Sequence, residues 1–361
     1  MVSSGTHHVS RDCLTSIFTS PRGFAYHYIH IPCPKAFFSS SLPYVLFLHG
    51  FPSIPTDFTE QITHLSHEGY SIVAPYLLGY YPTSTPTSPD LYKLKDISKD
   101  IIALLDHLHI DYPIHAIGHD WGATLLSRLE YYYPTRFDKL AYLTISPAPF
   151  GQPFDLDVVN KMTEELLGYA GYGYQKFFMD NLESGRAAHL LEDKHDRMEL
   201  LMFAEHSAEL WKEFFGRIGG LGEWLLANED RNINMIQGVT EEDLKHRKAT
   251  FCRDVSKVVE RGDFGPGYSG ALMWYVGLNR NLNIEDERAE RDDWAAYKTD
   301  KKVLVVVCEK DPIALPNMQA QMAGSYVSDP CQLHIERLDS GHFPMFEQSA
   351  VLSDLLSQFF K

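Results

Sequence analysis

Three groups able to do acid, base or nucleophilic chemistry stand in suggestive contexts: Asp120 in Gly118-His119-Asp120-Trp121-Gly122, Asp311 in Cys308-Glu309-Lys310-Asp311-Pro312, and His342 in Asp339-Ser340-Gly341-His342-Phe343-Pro344. An Asp between glycines is usually a turn residue. Asp120, however, falls between a strand-like run and a helical pattern. A tight bend there needs small neighbours and lifts its central side chain toward a helix N-terminus. A carboxylate in that position attacks without first losing a proton. It suits a saturated carbon bearing a leaving group, and the product is an alkyl ester on the enzyme that water must cleave. His342, oriented by Asp311, would take the proton from that water. Glu309 and Asp155 are the other acids near enough in the chain to fill the role of Asp311. The chain order nucleophile, acid, histidine singles out His342 among 17 histidines, each of which is by default a packing or surface residue. A fourth motif, His49-Gly50-Phe51-Pro52, follows the apolar run Tyr44–Leu48. Elsewhere it would be a plain Gly-Pro turn. Here the backbone N–H groups of Phe51 and Trp121 would face one point and hold the charge that builds on the ester carbonyl.

Such groups need a rigid frame. Strand-like runs at 23–31, 44–48, 71–74, 114–117 and 140–145 alternate with helical spacing at 96–108 and 123–132. After 150 the alternation stops, and helical patterning alone continues to 283. It resumes with a strand at 303–308, a helix near 317–323, a strand at 332–338 and a helix at 348–359. Strand–helix alternation at this spacing implies crossovers and a mostly parallel central sheet flanked by helices, an α/β fold. The expected organisation is a core from 1–149 and 284–361, interrupted by a helical cap at 150–283.

Composition narrows the function. With 48 acidic and 32 basic residues the formal charge is -16, which repels nucleic acid and anionic lipid. The apolar runs are strand-sized, far short of the ~20 residues a membrane helix needs, so no membrane insertion is expected. The N-terminus lacks the basic start and apolar stretch of a secretory signal. Five scattered cysteines (Cys13, Cys33, Cys252, Cys308, Cys331) show no metal-type pairing and are expected to be reduced thiols of a cytoplasmic protein, Cys308 as a small core residue.

With these motifs in place, the chain resembles the epoxide hydrolases of the α/β-hydrolase superfamily from about residue 20 to the end. The resemblance implies an α/β-hydrolase fold, a small apolar epoxide as substrate, a vicinal diol as product, and no metal or organic cofactor. It also implies two cap tyrosines that hydrogen-bond the epoxide oxygen and protonate it. Tyr174, in Gly173-Tyr174-Gln175-Lys176-Phe177-Phe178, matches the first, and Tyr275, in Ala271-Leu272-Met273-Trp274-Tyr275, the second. The pocket wall is expected to draw on His49, Phe51, Pro52, Trp121, Trp274 and Phe343, and the enzyme to be a monomer or homodimer. Haloalkane dehalogenases share the elbow Asp and the Trp after it, but typically carry Asn after His-Gly, where Phe51 offers no side-chain donor. An epoxide-opening cyclase, with an internal hydroxyl replacing water, and a catalytically dead binding protein are the other readings. The sequence departs from the family at Tyr76, where Asp is usual, at Tyr81-Pro82, where glycine is usual, and after Tyr275, where Val276-Gly277-Leu278-Asn279-Arg280-Asn281 displaces Arg-Asn. These changes leave the catalytic groups intact and put the path of the pocket wall in doubt.

Overall fold

A computed structural model describes residues 15–33, 43–205, 207–227, 233–252 and 266–361. Cys13 and the N-terminal residues read for a secretory signal lie outside the described residues. Eight strands form one sheet: β1 (Ser16–Thr19), β2 (Ala25–Ile31), β3 (Tyr44–Leu48), β4 (Ser71–Pro75), β5 (Ile114–His119), β6 (Phe137–Leu143), β7 (Lys302–Cys308) and β8 (Leu333–Leu338). Their order is β1-β2-β4-β3-β5-β6-β7-β8. The first two pairings, β1 with β2 and β2 with β4, are antiparallel, and every later neighbour is parallel. The continuous apolar runs explain the interior strands: β3, β5 and β7 are buried almost end to end, as strands covered on both faces must be.

The chain leaves β3 for β4 on one side and reaches β5 on the other, so β3 and β5 flank a switch in direction. The loops leaving their C-terminal ends diverge there and open the crevice in which open α/β sheets place their ligands. Leu48 pairs with Gly118 in register, which sets His49-Gly50-Phe51 beside His119-Asp120-Trp121. The helix Trp121–Tyr132 then runs back under the sheet with Leu125, Leu126 and Leu129 fully buried.

The sixth strand ends earlier than the apolar pattern suggests. Thr144 adopts φ +70° and turns the chain out of the sheet toward the helices that follow. No sequence signal marked β1, a short hairpin partner whose side chains are mostly exposed.

Between β6 and β7 the regular elements are helical, from Leu156–Leu167 to Ile284–Glu290. One turn, Trp211–Gly216, is wound as π helix and carries Trp211 and Phe215 toward the sheet. Both crossings between these helices and the sheet are tied to the helix after β5. Arg128 donates to Glu287 at 2.8 Å and to the Ala148 carbonyl at 3.1 Å, while Glu287 accepts the Gly151 N–H at 2.5 Å. Asn281 adds a two-way amide bridge to the backbone of Phe154. Among the described residues no helix is long and apolar enough to cross a membrane.

Candidate active site

Asp120 sits at φ +52°, ψ -119°, a strained conformation for a residue with a Cβ. It is tolerated because the glycines around it let backbones meet: a Cβ on Gly122 would overlap the Leu48 carbonyl, and one on Gly50 would overlap the Asp120 side chain itself. Phe51 N–H therefore reaches Asp120 Oδ1 at 2.7 Å, and the Trp121 N–H also bonds the carboxylate. Burial raises the Asp120 pKa, opposed by His342 and these two N–H groups.

His342 donates from Nδ1 to Asp311 Oδ2 at 2.6 Å, leaving Nε2 facing Asp120 Oδ2 at 3.8 Å. Asp311 is held as an acceptor by the Ile313 and Ala314 N–H groups on Oδ1, at 2.8 and 2.9 Å. Burial lowers the pKa of His342, but Asp311 and Asp120 outweigh it and the net shift is upward. The other acids weighed for this role are elsewhere. Glu309 pairs with Arg337 on the surface, and Asp155 caps the helix Leu156–Leu167 by accepting from Asp157 and Val158.

Tyr174 and Tyr275 close over the carboxylate from the helical side, with ring centroids 5.7 Å apart and nearly perpendicular. Tyr174 stacks flat on Phe215 at 4.0 Å, and Tyr275 meets Phe51 and Trp121 edge-on at 5.3 and 5.2 Å. Burial pushes both phenols well above 10, so both are proton donors at neutral pH. The two tyrosines, Asp120, His342, Phe51 and Trp121 all line one cavity of about 350 Å³.

The remaining residues expected in the pocket wall lie behind it. His49 accepts the Leu77 N–H on Nε2 at 3.0 Å and donates from Nδ1 to the Gly50 carbonyl, and burial lowers its pKa to about 3, so it is a neutral strut for the loop. Pro52 presents its carbonyl to Arg247. Trp274 donates to the Leu78 carbonyl at 2.8 Å and backs Trp121, while Phe343 packs on Phe203 and Trp211. None of these four lines the cavity, because each is turned toward the second layer of packing.

Other residues support the site without having been given a role there from the sequence. His119 donates to the His342 carbonyl at 2.8 Å, and Glu347 accepts the Gly341 and Phe343 N–H groups, so the loop around His342 is held on both sides. Gln175 donates to the Tyr174 hydroxyl at 3.2 Å and is itself held by Asn279, one turn after Tyr275. Asn279 belongs to the segment that departs from the family pattern, and only its fold-back onto Gln175 reveals a use for it. Trp211 lies 5.2 Å from the His342 ring, supplied by a part of the chain with no recognisable motif.

A family model described as alpha/beta hydrolase fold matches residues 43–349. Epoxide hydrolase srdG of Neurospora crassa is 30% identical over 319 residues, which cover 87% of this chain and 83% of that protein. Bifunctional epoxide hydrolase 2 of Sus scrofa is 26% identical over 322 residues, covering 87% of this chain but 50% of that protein. The chain thus spans about half the length of such bifunctional relatives. The crystal structure of Epoxide Hydrolase A from Mycobacterium thermoresistibile superposes with a TM-score of 0.73 over 96% of this chain and 97% of that one, at 22% identity, a likeness of fold.

Proposed function

The chain belongs to the epoxide hydrolases of the α/β-hydrolase superfamily, and from that premise we propose that it opens an apolar epoxide to a vicinal diol in two steps. In the first, Asp120 Oδ2 bonds to a ring carbon, the carbon–oxygen bond breaks, and the departing oxygen takes a proton from Tyr174 or Tyr275. The oxygen is a strong base as it leaves, and two neutral phenols in a mostly apolar cavity suit it. In the second, His342 Nε2 removes a proton from water, which attacks the Asp120 carboxyl carbon. Oδ1 carries the oxyanion at the Phe51 and Trp121 N–H groups, the departing diol alkoxide takes the proton held by His342, and the proton left on the regenerated Asp120 carboxyl returns to the phenolate.

The observation that carries the reading is the alignment of a 2.6 Å Asp311–His342 bond with an Nε2 3.8 Å from an elbow carboxylate. Esterification also prepares the histidine for its task. Asp120, with Asp311 and Glu347, is one of the negative charges raising the His342 pKa, so neutralising it as an ester lowers that pKa and makes the imidazole an available base. Against halide release, Phe51, whose ring meets Tyr275 edge-on at 5.3 Å, offers no side-chain donor to a halide.

Single turnover in ¹⁸O-water tests the covalent step. Label is expected in Asp120, and label entering the diol directly would exclude the ester. His342→Gln should trap that ester as a mass increase equal to the epoxide. A panel of styrene-type, fatty-acid and polycyclic epoxides, assayed for diol, identifies the substrate class. We propose a cytoplasmic setting, which the free thiols of Cys252, Cys308 and Cys331 support, and a monomer or homodimer.

A further inference from the structure

The two-step chemistry leaves unused a buried charge cluster adjoining the oxyanion loop. Arg247, on the helix Glu241–Phe251, is completely buried. One of its terminal nitrogens donates to the Pro52 carbonyl and the other to Asp57 Oδ2 at 2.9 Å, while Glu199 Oε2 lies 3.6 Å from its Nε. The same Asp57 Oδ2 accepts the Ile54 N–H at 3.0 Å, and Ser53 N–H bonds the Gly50 carbonyl at 3.0 Å. The loop from Gly50 to Asp57 is therefore closed on itself and gripped from outside by a guanidinium of the helical region. The flat face of that guanidinium lies 4.0 Å from the Phe203 ring, and Phe203 packs at 4.5 Å on Phe343, the residue after His342.

Dry packing of the helical region onto the sheet does not need ions. Well-packed apolar side chains would serve as well or better, because desolvating a guanidinium and two carboxylates is costly. What an arginine adds is direction, since its planar fork fixes two acceptors relative to each other. Here those acceptors are the carbonyl of Pro52 and the carboxylate that caps the same loop. Phe51, next in the chain to Pro52, supplies the N–H that meets the Asp120 carboxyl.

We infer that Arg247 is a positioning residue for the oxyanion hole, holding the Phe51 N–H at the Asp120 carboxyl through the Pro52 carbonyl and Asp57. The inference rests on the two-step reading above and makes a demand that simple structural support does not. The Phe51 N–H stabilises Asp120 as a carboxylate, so loosening it leaves the attacking oxygen no less reactive. The same N–H stabilises the oxyanion formed when water attacks the ester, so loosening it slows that step. The two steps must respond differently.

The experiment follows one turnover of the panel epoxide that the unsubstituted enzyme processes fastest, measuring ester formation and decay by rapid quench and intact mass. For Arg247→Met we expect ester hydrolysis slower by about tenfold or more, ester formation within about twofold, and ester accumulating in the steady state. Arg247→Lys, which keeps the charge but donates from a single point, should fall between. Asp57→Asn should shift the balance in the same direction, and these two variants carry the test if the methionine variant does not fold. Equal slowing of both steps, or no change in either, would overturn the positioning role while leaving the covalent mechanism standing. Absence of any ester in the unsubstituted enzyme would instead overturn the mechanism beneath it.

Discussion

Replacing Tyr174 and Tyr275 by phenylalanine isolates the proposed ring-opening step. Phenylalanine keeps the flat stack of residue 174 on Phe215 and the edge contacts of residue 275 with Phe51 and Trp121, so the change removes a hydroxyl and little packing. Each hydroxyl is a neutral donor, since burial holds both phenols well above 10. A pre-aligned donor in a water-excluded site contributes about 3 kcal/mol to stabilising charge that develops in the transition state. At about 1.4 kcal/mol per factor of ten, either single variant should form the ester on the order of 10²-fold more slowly, and the double variant more than about 10³-fold. Hydrolysis of ester already formed should stay within a fewfold of the parent, because its charge develops on the opposite side, at Phe51 and Trp121. Stopped-flow tryptophan fluorescence, with Trp121 next to the reacting carboxylate, separates the two phases. If the double variant forms ester within about tenfold of the parent rate, the phenols do not protonate the epoxide oxygen.

The fold and its buried charges supply further expectations. Arg128→Met strands the Glu287 carboxylate without its cation and should destabilise the protein by about 3 kcal/mol or more, measured by denaturant unfolding. Adding Glu287→Gln, which can still accept the Gly151 N–H, should recover much of the loss, and a single variant as stable as the parent would refute the tie. Burial raises Glu199 to about 7 against the pull of Arg247, so the folded state binds its proton more tightly than the unfolded chain does. Its contribution to stability is therefore present at pH values below about 4.5 and lost as pH rises through about 7, by on the order of 3 kcal/mol. The stability difference between Glu199→Gln and the parent should change across that window, whereas parallel pH profiles would show that the carboxyl titrates normally.

The groups that the structure gathers around Asp120 are legible in the sequence because their constraints are local. A bend tight enough to project Asp120 demands small residues on both sides, and Gly118 and Gly122 carry that demand in the letters themselves. Strand-sized apolar runs separated by helical spacing likewise announce a parallel sheet, since burial on two faces leaves no room for alternation. Boundaries were less legible: the apolar run near β6 continues through Ile145, yet the chain turns at Thr144, where a backbone angle rather than composition ends the strand.

Other features depend on which distant segments meet. His49 looks like a site residue beside Phe51, but the Leu77 N–H captures its ring and makes it a strut. Asn279 looked like a displaced motif until a helix turn set its amide on Gln175. Arg247 belongs to a strongly charged helix, Glu241–Phe251, with no catalytic signature, and its grip on Pro52 spans 195 positions in the chain. A nucleophile, its acid and its base can be recognised one by one, because their backbone settings are written next to them. The second layer that orients them is assembled from side chains whose partners are chosen only when sheet and helices close on each other, so its members carry no mark of their role in sequence.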